Sequence, residues 1–313
     1  MVRATGGCAQ VAPPPPPSAL GTGAAAIALL GLSSSPRMTA LGGAYAGVAG
    51  DEGSVFVNPA GMAPVRPLVV SASWQRGLPG EHLTGAALAA RKGRLSIGLG
   101  AMYLHLGGDS AVVPAPALGS TTVAAGGYAA IGVAALAYRH GVVSLGASMK
   151  YVRQVADSGP AGPASSARGV TGDVGATVAI FDIMALGATL QNIGGPVTAT
   201  DGGRLPLPRL ARLGLTLNIV EPQGTFRMLT DTELLVPARG DSYWTFGVES
   251  GVITTGVGVL ARASYAAGRE GSDRRPAAFG AELRLRALRL EYAFQAYRAP
   301  YRATHQVGVR FLP

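Results

Sequence analysis

Residues 95–103 read Leu-Ser-Ile-Gly-Leu-Gly-Ala-Met-Tyr, and the larger apolar residues Leu95, Ile97 and Leu99 occupy alternate positions. Side chains along a β-strand point alternately to its two faces, so the stretch predicts a strand with one apolar face and one face of small residues. The same period of two recurs at 143–151, 212–219 and 279–286. This repetition predicts an all-β fold.

The alternation extends over most of the chain after Leu68 and predicts fourteen strands, an even number. They are expected at 68–75, 82–91, 94–105, 126–139, 142–154, 168–180, 183–192, 209–219, 225–236, 242–249, 255–266, 277–285, 287–297 and 303–311. Many are longer than the average of about 5–6 residues in soluble proteins. A tilted strand needs about 9–11 residues to cross a bilayer, so these lengths favour a transmembrane barrel.

Short turns and longer polar loops alternate between the expected strands. The short turns are expected at 91–93, 140–141, 181–182, 220–224, 251–253 and 286, and the long loops at 106–125, 155–167, 193–208 and 267–276. Outer-membrane barrels have short periplasmic turns and long external loops, whereas a soluble β-sandwich has no reason to sort its loops this way. The pattern predicts a 14-stranded antiparallel transmembrane β-barrel over 68–313.

The composition also differs from that of a soluble domain. Apolar residues make up 48% of the chain and charged residues only 14%, against about a quarter charged in soluble domains. No run of 18 or more apolar residues is free of glycine and charge, so a helical membrane span is not expected. The net charge of +9 is thinly spread, which argues against a nucleic-acid partner. Cys8 is the single cysteine, so no internal disulfide is expected.

The N-terminal stretch predicts no strand. Residues 1–18 are expected to be disordered, because 13–17 are five consecutive prolines. Residues 19–32 are small and apolar like the core of a signal peptide, but the proline run and the lone preceding Arg3 disfavour that interpretation. A signal peptide is therefore expected to be missing or incomplete, and 19–32 to belong to the mature protein.

Most charged residues of the strands fall on the face opposite the apolar one. Arg or Lys facing lipid at mid-depth costs about 2–4 kcal/mol, so these residues should face the lumen. The expected lumen-lining residues are Arg94, Lys150, Asp173, Arg212, Asp231, Glu233, Glu249, Arg262, Glu282, Arg284, Glu291 and Arg310. On the apolar face, Tyr103, Tyr151, Trp244 and Tyr265 lie near strand ends, where the membrane interface favours amphipathic rings.

Residues 37–67, RMTALGGAYAGVAGDEGSVFVNPAGMAPVRP, lack the alternation of the strands. Their motif residues are Leu41, Gly42, Gly43, Ala44, Asp51, Asn58, Pro59, Ala60 and Gly61. The stretch resembles the N-terminal plug of FadL-like outer-membrane barrels, and more specifically that of the PorV/PorQ family. Similar stretches at 190–194 (LQNIG), 207–209 and 290–293 extend the resemblance over residues 24–313. The departures are Gly50, Glu52 and Val57, where the family commonly has Asp, Asp and an aromatic residue.

A barrel of fourteen strands is too wide for side chains alone to fill. A compact, glycine-rich segment ahead of the first strand is suited to occupy that space. Residues 19–67 are therefore expected to form a plug inside or below the barrel.

Catalytic and metal-binding patterns are absent from the sequence. His82, His105, His140 and His305 show no metal-ligand spacing. Gly108-Asp109-Ser110 stands without the rest of a catalytic triad. The dinucleotide-like pattern of Gly256, Gly258 and Ala261 has no following helix. Neither an enzyme nor a cofactor is expected.

The resemblance implies a bacterial outer-membrane protein surrounded by lipid, and it leaves the function open. A PorV/PorQ-type protein would act in type IX-like protein secretion by binding exported proteins or secretion components, with a blocked lumen and exposed apolar loops. A FadL-type transporter would pass a hydrophobic small molecule along a continuous apolar pocket that leads to a kink or gap in the wall. A barrel with a structural role is a third alternative.

Overall fold

The computed structural model describes residues 23–76, 82–107, 111–115, 119–123, 126–157, 165–180, 183–220, 225–268, 274–298 and 303–313. Fourteen long strands form one antiparallel sheet whose first and last strands pair with each other. The sheet therefore closes into a barrel, as the sequence predicts, and closure removes free sheet edges. No described helix is long and apolar enough to cross a membrane.

The described strands are, in chain order, β1 (Leu68–Arg76), β2 (His82–Lys92), β3 (Leu95–Leu106), β4 (Ala111–Ala115), β5 (Gly119–Val123), β6 (Gly127–His140), β7 (Val143–Ala156), β8 (Ser165–Ile180), β9 (Met184–Gly194), β10 (Val197–Ala199), β11 (Arg204–Leu205), β12 (Leu210–Val220), β13 (Phe226–Pro237), β14 (Tyr243–Ile253), β15 (Val257–Ala267), β16 (Arg274–Leu285), β17 (Leu288–Tyr297) and β18 (Thr304–Phe311). All fourteen strands of the barrel lie within four residues of their expected positions.

Two segments predicted as loops carry additional strands. In 106–125, β4 and β5 pair as a separate hairpin, and in 193–208, β10 extends the sheet beside β8 and pairs with β11. These strands have at most five residues, which is too short for an alternating pattern to stand out. The turn expected at 251–253 is displaced to 254–256, because Val252 and Ile253 still pair with β15.

Tight turns join the strands at the end that carries the short connections. Gly93, Gly141 and Arg286 have φ of +63°, +60° and +53°. Two-residue hairpin loops need positive φ, which glycine adopts without steric cost. The short turns identify this end as the periplasmic one and the opposite end as the extracellular one.

The outer face of the barrel is an apolar belt. Leu99, Leu145 and Met149 are 57%, 59% and 61% exposed. The four aromatic residues expected near the membrane interface are exposed on the same face. A surface this apolar needs lipid rather than water around it, so the protein lies in a bacterial outer membrane.

Four short helices lie ahead of the barrel: α1 (Ala24–Leu29), α2 (Pro36–Ala40) and the 3-10 helices η1 (Glu52–Phe56) and η2 (Pro59–Met62). Side chains cap the last three of them. Ser35, Asp51 and Asn58 accept hydrogen bonds from backbone N–H groups two or three residues later, at 2.9–3.3 Å. The sequence thus specifies where each of these three helices begins. Residues 1–22, including the proline run, lie outside the described residues.

Candidate functional site

The described part of the plug segment, residues 23–67, runs through the lumen from one end to the other. Near the extracellular end, the N–H of Ala25 donates to Gln154 Oε1 at 2.9 Å. Near the periplasmic end, Arg91 Nε donates to the carbonyl oxygen of Val65 at 2.7 Å. The lumen is therefore occupied along its length by the plug.

Wall side chains hydrogen-bond the plug backbone. Glu233 Oε2 accepts from the N–H groups of Tyr45 and Ala46, both at 2.6 Å. Lys150 Nζ donates to the carbonyl oxygen of Phe56 at 3.0 Å. Within the plug, Asn58 Nδ2 donates to the carbonyl oxygen of Ala46 at 2.7 Å. These bonds satisfy backbone groups that an irregular segment would otherwise bury without partners.

Glycines of the wall let the plug backbone come close. A Cβ atom at Gly187 would overlap the carbonyl oxygen of Ala46, and one at Gly146 would overlap the backbone of Pro59 and Ala60. Both clashes involve backbone, which cannot rotate away as a side chain can. The plug motif and these wall glycines are therefore matched in shape.

We expect Gly187→Ala to displace the plug and to destabilise the folded protein by about 1–3 kcal/mol, the usual cost of overpacking. The readouts are thermal unfolding and protease cleavage within residues 37–67. Gly132→Ala is the matched control, because a Cβ atom there meets no atom within 4 Å. Equal effects of the two substitutions would contradict the close-packing explanation.

Ten charged side chains form a network between the plug and the wall. They are Arg37, Asp51 and Glu52 of the plug, and Glu249, Arg262, Glu282, Arg284, Arg289, Glu291 and Arg310 of the wall. Arg37 pairs with Asp51 at 2.7 Å and with Glu249 at 3.0 Å. Arg310 pairs with Asp51 at 3.1 Å and with Glu52 at 2.9 Å. Five cations balance five anions, so the burial of charge is compensated within the network.

The residues expected to line the lumen are distributed as follows. Ten of the twelve are buried on the inner side of the wall and Arg284 is half-buried there. Arg94 instead lies exposed in the turn before β3, because the strand pattern was extended one residue beyond the strand. Gln154 and Gln191 also bind the plug backbone, but they are neutral, so the charge pattern of the strands did not indicate them.

The extracellular half of the lumen contains a cavity of about 100 Å³. Its apolar lining comes from the plug and the wall and consists of Ile27, Leu29, Leu30, Leu32, Met38, Phe56, Val57, Met102, Ile131, Pro208, Leu210, Leu235, Pro237 and Tyr243. Its polar lining includes Lys150, Gln191, Asn192, Arg209 and Arg212. We call this space the apolar cavity.

The apolar cavity reaches an irregularity in the wall. The pairing of β8 with β9 shifts register between Gly172 and Val174, and Asn192 has φ of +58°. The N–H of Asn192 donates to Asp173 Oδ1 at 2.9 Å, and its Nδ2 donates to the carbonyl oxygen of Pro208 at 2.8 Å. This β-bulge bends the strand at the boundary of the apolar cavity.

A second cavity, of about 360 Å³, opens in the periplasmic half and is strongly basic. Its arginines are Arg37, Arg66, Arg139, Arg227, Arg284 and Arg289, and Glu249 is its one acidic residue among those described. The segment from Arg37 to Gly47 borders both cavities. Helix α2 and the loop after it thus separate the two spaces.

The described residues contain no group of three potential metal ligands. The rings of His82 and His105 stack across β2 and β3 at 4.8 Å, a proximity that their spacing in the sequence does not reveal. Gly258 and Ala261 lie within β15, so no helix follows them as a dinucleotide site requires. Gly108-Asp109-Ser110 lies outside the described residues.

Solved structures share this fold. The CymD monoaromatic hydrocarbon channel superposes with a TM-score of 0.57 and 12% identity, covering 89% of this chain and 96% of that one. A Pseudomonas aeruginosa FadL homologue superposes with a TM-score of 0.55 and 12% identity, covering 90% of this chain and 98% of that one. The P. putida toluene transporter TodX superposes with a TM-score of 0.57 and 14% identity, covering 90% of this chain and 98% of that one. No family model and no curated protein matches the sequence. The likeness establishes the FadL-like barrel fold, and the PorV/PorQ resemblance has no counterpart in these comparisons.

Proposed function

We propose that the protein is a FadL-type transporter that passes small hydrophobic compounds across the outer membrane. The observation that carries this proposal is the apolar cavity, which lies between the plug and the wall and reaches the bulge at Asn192. A transporter needs such a pocket inside a lumen that is otherwise closed to water-soluble molecules. The shared fold with hydrocarbon channels supports transport better than protein secretion.

The size of the apolar cavity constrains how a ligand enters. A dry protein cavity of roughly 150 Å³ accommodates benzene, whereas this one measures about 100 Å³. An aromatic ligand therefore has to displace part of the lining. The plug residues of that lining, Ile27 to Ser33 among them, are not held in the barrel sheet.

Ile131→Trp should abolish uptake of a monoaromatic hydrocarbon, because the larger ring fills the apolar cavity from β6. Uptake of labelled toluene into proteoliposomes measures the effect. Leu136→Trp is the control, since Leu136 lies on the same strand but is 56% exposed to lipid. Undiminished uptake by a correctly assembled Ile131→Trp protein would rule out this cavity as the route.

Purification from native membranes separates the two functional hypotheses. A transporter should carry a bound hydrophobic molecule without a stoichiometric protein partner. A secretion protein should instead co-purify with exported proteins or secretion components. Identification of both lipids and proteins in one preparation decides between them.

A further inference from the structure

Two arginines lie on the outer face of the barrel, where the neighbouring positions are apolar. Arg153 on β7 and Arg168 on β8 are directly opposite each other in the sheet, and both are exposed. The adjacent outward pair is Tyr151 and Val170. Like charges directly opposite in a sheet are destabilising unless an anion lies between them.

No acidic residue of the described strands lies on this face beside the pair. All described acidic residues within the strands are buried, so none lies on the outer face. Neither arginine has a carboxylate within 4.0 Å among the described residues. The pair therefore presents two positive charges to an external partner.

The arginines lie in a cleft beside an apolar groove. The cleft, of about 710 Å³, runs along the outer face of β7, β8 and β10 and also contains Tyr151. The groove, of about 390 Å³, shares Tyr151 and Arg153 with the cleft. It is floored by small residues such as Gly132 and bordered by Tyr103 and Tyr128, whose rings stack at 5.5 Å.

The height of the site in the membrane limits what can occupy it. Arg153 lies two residues beyond Tyr151 toward the extracellular end, at the level where aromatic residues mark the lipid headgroups. A ligand there has its charge at the surface of the outer leaflet and its apolar part along the groove.

We propose that this surface binds a phosphorylated acyl glycolipid of the outer leaflet, of the lipid A type. A phosphate group bridges Arg153 and Arg168, and an acyl chain lies in the groove beside the three tyrosines. Guanidinium groups bind phosphate through paired, charge-assisted hydrogen bonds. Basic sites next to membrane-facing grooves recognise lipid headgroups in the same way.

The test uses the full-length barrel in detergent, freed of lipid and then mixed with one defined lipid. Native mass spectrometry counts the bound lipids. We expect the double variant Arg153→Gln/Arg168→Gln to bind bisphosphorylated lipid A about tenfold more weakly or worse, because both charge-assisted contacts to the phosphate are lost. Arg239→Gln/Arg275→Gln removes the same charge from two other exposed arginines and should leave binding unchanged.

Three further arms identify the ligand. Dephosphorylated lipid A, phosphatidylglycerol and inorganic phosphate should each bind more weakly than bisphosphorylated lipid A. Equal binding of the dephosphorylated lipid would overturn the role of the arginines. Equal binding of phosphatidylglycerol or of inorganic phosphate would overturn the glycolipid assignment. Unchanged binding by the Arg153→Gln/Arg168→Gln protein, with normal heat-modifiable migration, would overturn the proposal as a whole.

Discussion

Leu99→Arg is expected to prevent assembly of the barrel in the membrane. Leu99 is 57% exposed on the outer face near the middle of β3, so the substitution places a cation in the hydrocarbon core. That placement costs about 2–4 kcal/mol at the bilayer midplane. Heat-modifiable migration and the yield in outer-membrane fractions measure the effect.

Leu95→Arg is the depth control for this prediction. Leu95 lies on the same strand and face but at the periplasmic end, where the cost of arginine falls to about 0–1 kcal/mol. It should therefore assemble almost normally. If Leu99→Arg assembled as well as Leu95→Arg, the assignment of the lipid-facing side would be incorrect.

Arg37→Met is expected to release the plug from the wall. The substitution leaves Asp51 without one of its two arginines and removes the link between α2 and Glu249. Loss of one partner from a buried ion pair costs about 3–5 kcal/mol. Because α2 separates the apolar cavity from the basic one, the variant should show raised conductance in planar bilayers and faster cleavage of the plug by protease.

Arg66→Met provides the matched control in the same segment. Arg66 is exposed and has no carboxylate within 4.0 Å among the described residues. Its variant should conduct like the wild type. Wild-type conductance of Arg37→Met would mean that hydrogen bonds such as those from Tyr45 and Ala46 to Glu233 hold the plug without the ion pairs.

The barrel could be predicted from the sequence because the bilayer imposes its own pattern. Every strand needs an apolar outer face, so residues such as Leu99 and Leu145 repeat at a period of two. The additional strands β4, β5, β10 and β11 have at most five residues each, which is too few for this alternation to be recognised. Their pairing depends on contacts that a short stretch of sequence does not encode.

The arrangement inside the lumen could be predicted only in part. Charge on the inner face indicated which wall residues point inward, but not which partner each would find. Arg37 pairs with Glu249 across 212 positions of sequence, and only the closed barrel brings them together. The position and shape of the apolar cavity likewise depend on the path of the plug through the lumen, which no local sequence pattern specifies.

The position of Arg310 has a consequence for the order of events during assembly. Arg310 lies on β18, the strand that completes the barrel, yet it holds Asp51 and Glu52 from the segment before the first strand. Until β18 is in place, Glu52 lacks its only ion-pair partner among the described residues and Asp51 keeps only Arg37. The ion pairs that hold the plug are therefore complete only once the last strand has been inserted. Arg310 thereby links the docking of the plug to the closure of the barrel.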